Sequence, residues 1–87
     1  MAIQAADQYL PVSNRALKNH LGIVLHDFIL PEEEYKIVLC LLYKGGYATW
    51  VENVDDLATS NGHYFNATSA DLRAALVDYA ERCNRGY

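Results

Sequence analysis

The sequence predicts an α+β domain, with three main helices at about 14–29, 32–44 and 69–83 around a short antiparallel β pair at about 47–53 and 62–66. Three observations lead there. Apolar residues recur at intervals of three and four in two long stretches, the signature of an amphipathic helix. Between those stretches lies an unbroken apolar run, Ile37–Tyr43, with Glu32, Glu33 and Glu34 before it and Lys44-Gly45-Gly46 after it. Tyr47, Thr49, Trp50, Val51 and the group His63-Tyr64-Phe65 are rich in strand-forming types. An all-α, four-helix alternative competes, in which residues 50–60 form a helix ended by Asn61-Gly62.

Residues 1–12 are weakly patterned. Ile3, Ala6, Tyr9 and Leu10 fall at helical spacing, and Pro11 would stop any helix there. Ser13 is a plausible N-cap for the helix 14–29, whose apolar stripe is Leu17, Leu21, Val24 and Phe28, widened by Leu25 and Ile29. Gly22 within it costs about 1 kcal/mol relative to Ala and is read as a close backbone approach. Leu30-Pro31 ends this element, because the residue before proline is pushed out of the helical region.

Pro31 suits the first turn of the next helix, where its missing N–H costs nothing. The three glutamates then sit where the positive end of a helix dipole favours anions, with Lys44 at the negative end and Gly45 as terminator. The run Ile37–Tyr43 has no polar face, so it must be covered on every side. A buried strand turning through Lys44-Gly45-Gly46 into Tyr47–Val51 is the competing reading. The last helix has Thr68 or Ser69 as its cap and Asp71 in its first turn. Its apolar face is Leu72, Ala75, Leu76, Tyr79, Ala80 and Cys83, and Gly86 follows it.

Eighty-seven residues suit a single domain spanning 1–87, and 52% hydrophobic with 21% charged residues is a globular composition. A domain this small can hide part of its apolar content in a homo-oligomer. The formal net charge of −4 argues against nucleic acid, where clustered Lys and Arg must neutralise phosphates. Cys40 and Cys83 read as buried free thiols of a reducing compartment. No signal peptide and no apolar stretch near the ~20 residues of a membrane span is expected, which points to a cytoplasmic protein without a membrane partner.

No nucleophile motif, phosphate loop or metal-ligand spacing stands out. His20 and His26 fall on different helix faces, and His63 is distant. Neither catalysis nor a cofactor nor a metal is therefore expected. The candidate partner-binding residues are Tyr47, Trp50, Glu52, Asp55, Asp56, His63 and Tyr64. Exposed aromatics anchor protein interfaces, and the carboxylates, joined by Glu32–Glu34, could meet a basic groove on a partner. The bland alternatives are a strand histidine bonded to backbone and a solvated acidic loop.

Ala48-Thr49-Trp50, Gly62-His63-Tyr64-Phe65 and Ala75-Leu76-x-Asp78-Tyr79-Ala80-Glu81-Arg82 together resemble a pattern in small uncharacterised proteins of phage and other mobile elements. The resemblance covers residues 47–83 and implies an antiparallel pair before a helix, with no catalytic residue. The chain differs in its long polar stretch, Asp55–Asn61. A second resemblance is to helix-turn-helix domains, with Val54–Ala58 in a first helix and 69–85 as the second. It implies a DNA-binding regulator, but the segment Thr59–Thr68 exceeds the usual turn, and three acidic residues face three arginines on the would-be recognition helix. The sequence thus favours a small, acidic, non-enzymatic protein-interaction domain, an accessory protein or inhibitor of a host protein, over a DNA-binding regulator.

Overall fold

The computed structural model describes residues 15–32 and 34–87. Among these residues four strands, β1 (Gly22–Ile29), β2 (Tyr35–Leu42), β3 (Tyr47–Asn53) and β4 (Thr59–Phe65), precede one helix, α1 (Ser69–Arg85). The strands form an antiparallel meander in the order β1-β2-β3-β4. The helix lies on one face of the sheet, against β2, β3 and β4. Three helices around a β pair do not form, and neither does the all-α alternative. The ranges 47–53 and 69–83 coincide with β3 and most of α1.

The run Ile37–Tyr43 explains the largest correction. All of it but Tyr43 lies in β2, a central strand bonded on both edges. Successive side chains of a strand point to opposite faces. Ile37 and Leu39 turn towards the helix, while Val38 and Cys40 turn to the other face, and all four are fully buried. A strand covered on both faces reads as a continuous apolar run, as a buried helix segment does. Lys44-Gly45-Gly46 is a hairpin turn and not a helix stop. Gly45 and Gly46 have φ of 100° and 90°, which glycine adopts at no steric cost. The three glutamates lie between β1 and β2, and no dipole is there for Glu32 or Glu34 to complement.

The stripe expected over 14–29 breaks at His20, whose φ of 64° belongs to a turn and not a helix. Leu17 enters the core, whereas Leu21 and Phe28 are exposed. Ile23, Val24, Phe28 and Ile29 are β-branched or aromatic, and β1 forms from them. The close approach expected at Gly22 is real: a Cβ there would collide with the Leu41 carbonyl oxygen. The elements expected in residues 1–12, with the cap at Ser13, lie outside the described residues.

β4 starts at Thr59, three residues before the expected range 62–66. The connection before it is short because Asn53 builds it: Asn53 Oδ1 accepts from the Asp55 and Asp56 N–H groups at 2.8 and 3.3 Å, and Asp56 Oδ1 accepts from Ala58 N–H at 2.9 Å. Val54–Ala58 is this turn and Thr59–Phe65 is a strand, so the helix-turn-helix expected from Val54 to residue 85 does not form. Thr68 caps α1, its Oγ1 accepting from Asp71 N–H at 3.0 Å. Gly86, at φ 92°, ends it by donating its N–H to the Arg82 carbonyl. No helix among the described residues is long and apolar enough to cross a membrane.

Two clusters fill the core. Leu30, Ile37 and Val51 pack with Tyr79 and Cys83 under the helix. On the opposite face Leu17, Val24, Val38, Cys40, Ala48 and Trp50 pack together. Beside the second cluster, Arg15 holds Glu52 through two bonds of 2.8 Å, and Asp27 and Lys36 extend the network. The Glu52 carboxylate raises the Arg15 guanidinium above its ordinary value.

Glu52 is fully buried, while the Arg15 side chain stays 30% exposed. Removing the arginine strands a charge in the interior; removing the carboxylate leaves a guanidinium that water can reach. Arg15→Ala is therefore expected to cost about 3–5 kcal/mol in urea denaturation, and Glu52→Gln clearly less. Equal losses for the two variants would contradict this account.

Candidate functional site

Strand alternation disperses the seven residues that the sequence singles out. Tyr47 and Thr49 of β3 point to the helix side, with Ala48 and Trp50 on the other. Across the ladder Ala48 faces Tyr64, and Thr49 faces His63. Trp50 and Tyr64 therefore share one face, their rings meeting edge to face at 5.7 Å. Trp50 is only 3% exposed, so it is a core residue beneath an exposed Tyr64 and not a surface anchor. Tyr47 is half-buried on the face that carries His63. The expected aromatic surface of Tyr47, Trp50, His63 and Tyr64 does not exist as one patch. Glu52 is also withdrawn from the surface, because its carboxylate is spent on Arg15.

Two groupings replace it. The first is an acidic end of the sheet. In an antiparallel meander the β1–β2 and β3–β4 turns fall at the same end. Val54 N–H donates to the Glu34 carbonyl at 3.0 Å and ties them together. Glu32, Glu34, Asp55 and Asp56 are all exposed there. The one cation bonded to this end is Lys18, whose Nζ donates to the Asp56 carbonyl at 2.7 Å, among the described residues.

The second grouping links β3, β4 and the helix. Thr49 Oγ1 donates to Asp78 Oδ2 at 2.5 Å, and both Asp78 oxygens lie 3.0 Å from His63 Nδ1. Arg82, 1% exposed, donates from Nη1 to the Thr49 carbonyl and Oγ1, and from Nε to a main-chain oxygen of Tyr87. Burial pushes the Arg82 guanidinium below its ordinary value; Asp78 opposes this and Arg85 adds to it. Asp78 and Arg82 stand four apart on one helix, a spacing readable from the sequence. Their meeting with Thr49 and His63 depends on strand register, which the sequence does not display.

This arrangement positions groups: Asp78 links the Thr49 hydroxyl to the His63 ring, and Arg82 bonds the same hydroxyl. Among the described residues no cluster of three His, Cys, Asp or Glu could hold a metal ion. The chain matches no protein-family model, no curated protein and no solved structure.

The two thiols are free and separated by the sheet, since Cys40 lies on the face away from the helix that carries Cys83. Burial pushes the Cys40 thiol up to about 12, helped by the Glu52 charge and opposed by Arg15. Burial also raises Cys83 and Tyr79. An acid whose folded pKa is raised binds its proton more tightly folded than unfolded, so stability present at neutral pH is lost as pH rises past the usual thiol range of about 8.5. Urea titrations from pH 8 to about 12 should show falling stability, with a shallower fall in Cys40→Ala. Identical slopes for the two proteins would exclude a contribution from this thiol.

Proposed function

We propose that the protein is a small, non-enzymatic interaction domain that presents its acidic end to a basic surface of a protein partner. The observation that carries this reading is the common end of the two acidic turns, joined by the Val54–Glu34 hydrogen bond. Four exposed carboxylates lie on short turns, and the Asn53 and Asp56 side chains hold the backbone of the second one. Fixing them in advance lowers the entropy lost on docking. Charges so placed steer a cationic partner and set its orientation more than they add raw affinity. Pockets here would serve a small ligand poorly: the cavity at this end, about 280 Å³, is lined by Leu30, Pro31, Glu32, Tyr35 and the end of the helix. An accessory or inhibitory role in a phage or mobile element is the biological setting that the sequence resemblance suggests.

A photo-crosslinking residue placed at Glu34, with a control at Val77 on the exposed side of the helix, tests the reading in host lysate. Adducts at position 34 should fall steeply as salt rises and the screening length shrinks below about 10 Å. They should also be lost in the triple variant Glu32→Gln, Glu34→Gln, Asp55→Asn, which spares the turn-building Asp56 and Asn53 side chains. Adducts equal at both positions, or insensitive to salt, would sink it.

A further inference from the structure

The cavity between the end of α1 and β4 has no role in the acidic-end reading. It measures about 330 Å³ and is lined by Asn61, Gly62, His63, Arg82, Arg85 and Tyr87. That is the low end of the range for small-ligand sites, about 300–1,000 Å³. Its chemistry is opposite to the rest of the molecule, which carries a net charge of −4.

Arg82 forms a buried part of the lining. Its hydrogen bonds among the described residues go to the Thr49 carbonyl, the Thr49 hydroxyl and a main-chain oxygen of Tyr87. No carboxylate stands within ion-pair distance of it among these residues. Its compensation by Asp78 is indirect, through the Thr49 hydroxyl that Arg82 bonds and that donates in turn to Asp78. Arg85 adds a second guanidinium, which lies over the Tyr87 ring at 5.6 Å and likewise makes no ion pair among the described residues. The mutual repulsion of these two cations works in the same direction as burial on Arg82. The carboxylate nearest to the cluster, Asp78, is shared between Thr49 and His63.

His63 completes the lining. Asp78 holds its Nδ1 and so fixes the ring. Asn61 beside it keeps a φ of 54°, a strained value for a residue with a side chain. Two guanidiniums are donors suited to a tetrahedral oxyanion, and guanidinium recognises phosphate with paired bonds.

We propose that this cavity binds a phosphate group, with Arg82 and Arg85 as its donors and the ring of His63 as part of its wall. The group can come from free phosphate or from a small phosphate monoester.

Two-dimensional NMR of the full chain, titrated with inorganic phosphate at constant ionic strength, tests this. Saturable shifts are expected at the amides of Asn61–His63 and at Arg82–Tyr87. Arg85→Gln, an exposed change that leaves the fold intact, should weaken binding roughly tenfold, as expected for a lost charge-assisted hydrogen bond. Tighter binding of O-phosphoserine than of phosphate would assign the monoester as the source, and weaker binding the free ion. Shifts reproduced by sodium chloride, no saturation up to roughly 50 mM, or an unchanged affinity in Arg85→Gln would each overturn the proposal.

Discussion

Two-sided burial of β2 is the constraint on which the rest of the molecule depends. Ile37, Val38, Leu39 and Cys40 are all fully buried, so both faces of the sheet must be covered where they lie. The helix covers one face by way of Ala75, Tyr79 and Cys83. On the other face Leu17 packs against Val24, Val38, Cys40, Ala48 and Trp50, and the segment bearing it is tied down by hydrogen bonds of Lys18 to Asp56 and Asn19 to Thr59. The meander follows from the same need, because a central strand must find a bonded neighbour on each edge.

Polar groups are placed according to how much water each site retains. On the face away from the helix, buried Glu52 is compensated by a bidentate arginine and has no charge to offer a ligand. Under the helix, Asp78 is divided between a hydroxyl and an imidazole, and Arg82 bonds the carbonyl and hydroxyl of Thr49. At the end of the sheet, by contrast, the turns leave Glu32, Glu34, Asp55 and Asp56 in water. The molecule is therefore acidic at one end of its sheet and locally basic in the cavity beside the helix terminus. Arg85 lines both that cavity and the one containing Glu32, so the two regions meet at the end of α1.

Some elements carry their own explanation in local chemistry. Thr68, Asp71 and Gly86 mark the ends of α1 through bonds made within a few residues, and the sequence displays them. β3 likewise shows its strand-forming residues openly. β1 and β2 do not. Leu17, Leu21, Val24 and Phe28 match a helical period, yet only Leu17 and Val24 are buried, and the periodicity at the other two is accidental. The acidic turn residues were legible as exposed carboxylates, but Glu52 was not legible as a buried one, since its partner Arg15 lies 37 residues away.

What the sequence determined by itself was chemical and local: an acidic, globular composition, the capped C-terminal helix, strand-forming residue types after Gly46, and an apolar run that had to be enclosed. Tertiary structure decided which enclosed element that run became. An apolar run without a polar face has no period to read, and only the neighbours bonded along its edges make it a strand. Tertiary structure also decided which side chains share a surface. In a strand that depends on register and pleat: Tyr47 and Trp50, three residues apart, point to opposite faces, while Thr49, His63, Asp78 and Arg82 are brought together from three elements.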